Sequence, residues 1–309
     1  MTTVERVRRR LGAVGVWVAP GTLSATPGPV VREQVARIDR LGYGSLWSGE
    51  SIGGAEAFAQ HGVLLAAAER LVVGTGVANL WLRHPVAMRG AAATLADAYP
   101  GRFVLGLGVS ASGVVARASG LTYERPMAST REYLDQLDAV ADGPPRPAEP
   151  FPRVLAALGP KMLDLARERA DGAHPFLVPV EHTALARTAL GPDRLLIPHQ
   201  AVVLAPDRAS ARQAIQGTFG PLLDLKSGSA YVRNLARLGF GPADAGTDRL
   251  MDALFAWGDE AAIAARVRAH LDAGADHVLV QPLAPDLTAT ADQLERLAGA
   301  LLRPASPAG

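Results

Sequence analysis

The chain has 309 residues, 49% of them hydrophobic, enough to bury a large core as two domains or as a single α/β barrel. Its 31 basic and 30 acidic residues nearly cancel, which gives no reason to expect nucleic acid or an acidic membrane surface as a partner. Cysteine is absent, so disulfides, thiolate nucleophiles and Cys-ligated metal centres are excluded. Residues 1–10 are polar and basic, and the apolar run 13–19 that follows them is broken by Pro20. That is short of a secretory segment, and nowhere do about eighteen apolar residues run together. The expectation is a cytoplasmic protein with a small-molecule partner and no membrane or nucleic-acid partner.

A first strand is expected over 13–18, then a loop flanked by Pro20-Gly21 and Pro27-Gly28-Pro29. Val31, Val35, Ile38 and Leu41 mark one helix face, and Gly42 stands where that helix stops. Residues 44–48 read as strand two, 55–70 as its helix, and the β-branched run 71–77 as strand three. Pro85 then occupies a first helical position, where its missing N–H is no loss. Met88, Ala92 and Leu95 recur at helical spacing until Pro100-Gly101, and 102–108 is strand four. Strand, helix and strand in about forty residues make a βαβ unit with parallel strands.

The pattern repeats after a long loop at 109–128 and a helix at 131–140. Strand five is expected at 153–157, with a helix opened by Pro160 and closed at Gly172. Strand six follows at 173–178, a helix at 181–190 and strand seven within 195–204. Roughly seventy residues separate it from strand eight at 277–281, against about thirty in a minimal unit. The surplus, approximately 218–258, reads as an insertion with helices around 231–238 and 250–257. Asp259 caps the last barrel helix, in which Ile263, Val267 and Leu271 share a face. Eight alternating units in one domain, 1–309, predict an α/β fold: a (β/α)8 TIM barrel with an insertion between strands seven and eight.

In such a barrel, chemistry sits at the carboxyl ends of the strands. Leu158-Gly159-Pro160-Lys161 puts a small residue before a helix start, where free N–H groups, the helix dipole and Lys161 suit a phosphate. A plain turn with a helix-favouring Pro explains it equally well. Gly74 and Gly76 interrupt strand three, and Gly106 and Gly108 strand four. This marks a bulge, a barrel corner, or a planar ring lying against backbone. No Gly-x-Gly-x-x-Gly fingerprint is met. Gly49-Glu50-Ser51-Ile52-Gly53 matches the nucleophile elbow of hydrolases, although no oxyanion stretch precedes it. The seven His lack ligand spacing, so no metal is expected. His174 is the one to watch, whereas His84, His182, His270 and His277 read as helix caps or solvent-facing groups. Trp17 and Trp81 stand near strand ends and have the better claim to a pocket.

Several longer segments run through these positions. They include Gly44-Ser45-Leu46-Trp47-Ser48-Gly49-Glu50, Gly74-Thr75-Gly76-Val77-Ala78-Asn79, His84-Pro85 and Tyr99-Pro100-Gly101-Arg102-Phe103-Val104-Leu105-Gly106-Leu107-Gly108-Val109-Ser110. Ala157-Leu158-Gly159-Pro160-Lys161-Met162, Ala170-Asp171-Gly172-Ala173-His174-Pro175 and Gly274-Ala275-Asp276-His277-Val278 continue them. On these residues the chain resembles the luciferase-like monooxygenase superfamily, specifically its actinobacterial branch that uses the deazaflavin coenzyme F420. The resemblance implies the same barrel, usually as a homodimer, with a non-prolyl cis peptide at the end of strand three backing the ring. Here that bond is Gly76–Val77. It places the coenzyme's phosphate at Gly159 to Met162 and implies hydride transfer at C5 of the ring. Coenzyme contacts are expected from Trp17, Gly76, Val77, Ala78, Gly108 and Ser110, and from Gly159, Pro160, Lys161, Met162 and Pro175.

Two departures bear on the reaction. Family dehydrogenases that oxidise a sugar hydroxyl carry a His base where this chain has Ser51, and a Glu acid where Ala111 stands. A missing base argues against alcohol oxidation and favours reduction of an activated C=C, C=O or imine. Glu50, Ser51, Asn79, Ser110 and His174 remain as proton donors or orienters. An FMN-dependent monooxygenase on the same fold is one alternative, and a catalytically inactive deazaflavin-binding protein is another.

Overall fold

The computed structural model describes residues 2–110, 124–140, 143–225 and 228–302. Its strands are β1 (Val14–Val18), β2 (Ser45–Ser48), β3 (Val72–Thr75), β4 (Ala78–Asn79) and β5 (Phe103–Gly108) in the first part of the chain. They continue with β6 (Arg153–Leu155), β7 (Gly172–Ala173), β8 (Leu195–Leu196), β9 (His199–Leu204), β10 (Phe255–Gly258) and β11 (Val278–Pro282). Among the described residues every strand pairing is parallel, which accounts for the apolar, β-branched composition of these runs. The order is β10-β9-β11-β1-β2-β3-β5-β6-β7-β8, with β4 taking up the pairing to β5 where β3 leaves off. Only Ile197 and Pro198 separate β8 from β9, so the sheet curls back toward its own far edge.

The helices are α1 (Thr3–Leu11), α2 (Pro20–Ala25), α3 (Gly28–Leu41), α4 (Ala57–Ala67), α5 (Pro85–Ala98), α6 (Pro126–Ala139) and α7 (Pro160–Arg169). After them come α8 (Val180–Leu190), α9 (Arg208–Phe219), α10 (Ala230–Arg237), α11 (Asp248–Leu254), α12 (Glu260–Asp272) and α13 (Leu287–Leu301). Leu46, Phe103, Leu105 and Leu155 point outward into a core shared with Ile38, Leu64, Met88 and Leu294 of the helices. Trp17, Trp47, Val72, Val104, Val154, Leu195 and Leu279 face inward instead.

The inward cluster includes Val4, Val7 and Leu11, so α1 plugs the amino-terminal end of the sheet. A Cβ at Gly44 would stand 1.7 Å from the Leu11 carbonyl oxygen, which is why a glycine lies under the end of that helix. Inside, the Trp47 indole N–H donates to Ser45 Oγ at 2.9 Å, and Ser45 Oγ meets His277 Nε2 at 2.6 Å. His277 Nδ1 lies 2.9 Å from the Gly12 carbonyl, which can only accept, so Nδ1 carries the hydrogen and the Ser45 hydroxyl donates to Nε2. Burial pushes the His277 imidazole down to about 4, and the ring is neutral.

Some local expectations are revised. Residues 20–25 are helical and not loop, because Pro20 opens α2. Strand six shrinks to Gly172–Ala173, since Pro175 has no N–H to give a ladder. The helix expected through residue 257 ends at Leu254. Phe255 to Gly258 instead pair with Ala201 to Leu204, so sheet pairing overrides the helical reading there. His182, His270 and His277 are buried, and of the four histidines read as caps or solvent-facing only His84 is a cap, accepting from the Val86 N–H. The polar, basic segment at the start of the sequence, to which no element was assigned, forms the helix Thr3–Leu11. A capping box joins Thr2 and Glu5 at its start.

Candidate active site

The carboxyl ends of β1 to β5 meet at a bulge. β3 pairs with β5 through Val73↔Phe103 and Gly74↔Val104, and β4 resumes at Ala78↔Leu107. Four steps along one strand therefore face three along the other. Within the surplus, the peptide between Gly76 and Val77 is cis. The Thr75 hydroxyl replaces the missing ladder, donating to the Gly106 carbonyl at 2.7 Å and accepting from the Gly106 N–H at 2.8 Å. The Gly76 N–H donates to the Ser48 carbonyl at 2.7 Å, and the Trp17 indole N–H donates to the Gly76 carbonyl at 3.1 Å. Both polar groups of Gly76 are thus tied to neighbouring strands.

The four strand glycines answer to this arrangement. A Cβ at Gly74 would come within 2.5 Å of the Trp47 indole, and one at Gly76 within 2.9 Å of Trp17 Nε1. At Gly106 it would meet the Thr75 carbonyl at 1.9 Å, and at Gly108 the Val77 side chain at 2.6 Å. They make room for two tryptophans and for the bulge, and so the sequence signal for a flat ligand resides in the bulge alone. Val77 is half-buried, and Ala78 and Asn79 continue as β4.

Glu50 and Asn79 come together at the end of β2 and β4. The Asn79 N–H donates to Glu50 Oε2 at 2.8 Å, and Arg83 grips both carboxylate oxygens of Glu50, at 2.8 and 2.5 Å. Arg83 also reaches Glu56 at 2.6 Å. Burial lowers the Arg83 pKa, but the hydrogen bonds it donates to Glu50 and Glu56 and the charge of those two carboxylates together outweigh it, and the guanidinium is held above its ordinary value. Ser51 beside them is half-buried, and its backbone is not in the left-handed region that a strained nucleophile elbow would occupy. No hydrogen bond joins it to an imidazole among the described residues. The hydrolase reading has no support here.

His174 lies beneath the bulge, its Nε2 3.5 Å from where a Gly76 Cβ would be. Its Nδ1 donates to the Ile197 carbonyl at 2.7 Å, which leaves Nε2 as a bare acceptor, buried and without a partner. Burial pushes this imidazole down to about 4. Phe176 packs edge-on to Trp17 with centroids 5.0 Å apart and stacks on His199 at 3.9 Å; Tyr231 of α10 reaches Phe176 at 6.4 Å. His199 Nε2 donates to Gln281 Oε1 at 2.7 Å, and Pro175 accepts the His199 backbone N–H at 2.9 Å. Ser110 is exposed, with φ 57° just past β5, and Ala111 falls outside the described residues.

Gly159, Pro160, Lys161 and Met162 form the first turn of α7, at some remove along the chain from the bulge. The turn has no side-chain cap and no acidic residue. Lys161 is exposed there, and the Arg237 guanidinium of α10 stands 3.2 Å from where a Gly159 Cβ would be. Arg237 has no ion-pair partner among the described residues. Two cations beside the positive pole of a helix repel it unless an anion joins them. Sequence reasoning missed Arg83, His199 and Arg237. Arg83 stood next to the quoted His84-Pro85, but no local pattern marks Arg237, which reaches the site only through the fold.

A protein of Mycobacterium tuberculosis named for coenzyme F420-dependent oxidoreductase activity is 30% identical over 186 residues, half of this chain; the match spans 53% of that relative's length. The 5,10-methylenetetrahydromethanopterin reductase of Methanolobus tindarius is 24% identical, covering 80% of this chain and 89% of that one. A solved F420-dependent secondary alcohol dehydrogenase, in complex with an F420-acetone adduct, superposes with a TM-score of 0.76 at 16% identity, over 94% of this chain and 99% of that one. At that identity the likeness speaks for the fold. The family model for luciferase-like monooxygenases matches residues 14–277, and the chain belongs to that family.

Proposed function

We propose that the protein is an F420-dependent oxidoreductase, moving a hydride between C5 of the deazaflavin and a small organic substrate. The observation that carries this reading is the bulge at the strand ends, where both polar groups of Gly76 are braced by Trp17 and Ser48. The residues fit a planar, phosphorylated group: a kinked main chain for the ring, and an uncapped helix start with Lys161 and Arg237 for the phosphate. When bound, the coenzyme would supply the hydride chemistry. The chain's own part is to seat the ring, hold it against Val77 and Ala78, and exclude water.

The direction favoured is reduction of an activated C=C, C=O or imine. Oxidising an alcohol needs a base near working pH in reach of the hydroxyl. Glu50 is engaged on both oxygens by Arg83, and His174 lies buried under the bulge. Residues 109–123 contain no Asp, Glu or His in the sequence. The second reading is an FMN-dependent monooxygenase, since ring shape and phosphate position serve either coenzyme. Titrating the protein with F420 and with FMN separates them. The F420 reading expects the tighter binding and the stronger fluorescence quenching with the deazaflavin, and tighter FMN binding would contradict it.

The same reading includes a single domain closed as an eight-stranded barrel, with β8 and β9 as one strand interrupted at Pro198. In it, residues 218–258 are an insertion that contributes β10. It also includes a cytoplasmic homodimer. No Asp, Glu, Lys or Arg occurs in α4, and Val63 and Val86 on α4 and α5 are 40% and 51% exposed, a face suited to a second copy. Sedimentation would show a dimer for the wild type and a monomer for Val63→Glu/Val86→Glu.

A further inference from the structure

Asn79 has one fixed and one unused end. The Trp81 backbone N–H lies 3.0 Å from Asn79 Oδ1, and because that N–H can only donate, the atom facing it is the oxygen. The carboxamide nitrogen Nδ2 therefore points the other way. It has no hydrogen-bond partner although the residue is only 2% exposed. Buried polar groups are rarely left so, and a donor held out of water's reach marks a place where an acceptor arrives with a ligand. Asn79 stands two residues past the cis peptide, at the edge of the proposed ring seat.

The groups behind Asn79 are fully committed. Glu50, whose side chain is 3% exposed, accepts the Asn79 backbone N–H and both arms of the Arg83 guanidinium. Arg83 continues to Glu56, its plane lies 5.1 Å from the Phe58 centroid, and its carbonyl takes the Tyr133 hydroxyl at 2.9 Å. A carboxylate engaged this way serves geometry, since neither oxygen is offered to a substrate proton. The same pair fixes the backbone of Asn79 while Trp81 fixes its side chain.

We propose that Asn79 is a ligand-contacting donor whose carboxamide N–H₂ hydrogen-bonds a carbonyl-type oxygen of the planar group seated at the bulge. Glu50 and Arg83 are its positioning residues and pass no proton. This rests on the coenzyme reading above for the identity of the planar group.

The test uses the whole chain, with F420 and FMN as probes, and reads fluorescence quenching, the absorption band of the bound ring and the thermal midpoint. Asn79→Asp keeps the acceptor for Trp81 and replaces the donor by an anion. It is expected to raise the Kd about tenfold or more and to shift the bound ring's band, with a lowered midpoint because the new carboxylate is buried beside Glu50. Asn79→Ala, which adds no charge, is expected to show the same band shift with a smaller loss of affinity. Glu50→Gln is expected to weaken binding while leaving the shape of the pH profile between pH 5 and 8 as in the wild type. A folded Asn79→Asp with wild-type Kd and spectrum overturns the proposal, as does a limb of the pH profile that vanishes in Glu50→Gln. Failure of the coenzyme reading shows in the wild type, as binding of neither probe, and removes the partner assigned to Asn79. Failure of this inference alone shows only in the variants.

Discussion

The two flanks of the mouth differ in how completely their main chain is braced. On the β1–β2–β3–β5 flank the main chain is braced from within, by Trp17 on Gly76, Thr75 on Gly106 and Glu50 on Asn79, while the side-chain atoms Ser48 Oγ and Asn79 Nδ2 are buried without a partner. On the α7–α10 flank, Lys161 and Arg237 stand at a helix start that has no side-chain cap and no acidic residue in its first turn. The first flank is built to hold shape, and the second is built to receive charge. The contrast teaches where a ligand contributes to the fold: little at the bulge, whose main chain is braced without it, and more at the helix start, where cations stand at the positive pole of a helix.

The largest expected effect strikes the braced side. His174, His199 and His277 are buried neutral on the inner face, with pKa values near 4, 3 and 4 set by desolvation. An unfolded imidazole titrates near 6.5. As pH falls below that value the unfolded chain binds protons that the folded state refuses, so the stability these rings contribute is complete above 6.5 and lost toward 4. Urea unfolding at pH 7.5 and 4.5 should differ by on the order of 2 kcal/mol per ring. Equal stability at the two pH values would mean that the rings are not held neutral. Next comes Gly106→Ala, whose Cβ would meet the Thr75 carbonyl at 1.9 Å. Backbone cannot yield cheaply, and a loss of about 3 kcal/mol is expected in denaturant unfolding.

Much of this braced flank was legible in the sequence. Alternating apolar runs and glycine stops gave the strand order and the parallel pairing, and family likeness placed the cis bond at Gly76–Val77. What the glycines were for was not legible. Gly74 serves Trp47, and Gly106 and Gly108 clear room for Thr75 and Val77, contacts that exist only once the strands are in register. Histidine burial was misread for a similar reason. The partners of His270 and His277, namely Thr183, Gln200, Ser45 and Gly12, are scattered through the chain. Phe255 to Trp257 read as helix because only the neighbouring β9 makes them a strand.

Two smaller effects sharpen the contrast from the receiving side and from outside both flanks. Arg237→Gln should weaken F420 or FMN binding by roughly tenfold at low salt, less at high salt, and leave phosphate-free ring analogues such as riboflavin unaffected. Equal loss for both kinds of ligand would assign Arg237 to packing. Asp259→Ala removes the cap on the Ala262 N–H of α12, a bond that touches none of the site residues, and should cost about 1 kcal/mol in unfolding with coenzyme affinity untouched.

The most direct test is a crystal structure of the protein soaked with F420. It should place the tricyclic ring in van der Waals contact with the Gly76–Val77 link, and the phosphate at the first turn of α7 within reach of Lys161 and Arg237. A ring bound elsewhere, or side chains occupying the seat, would contradict the account.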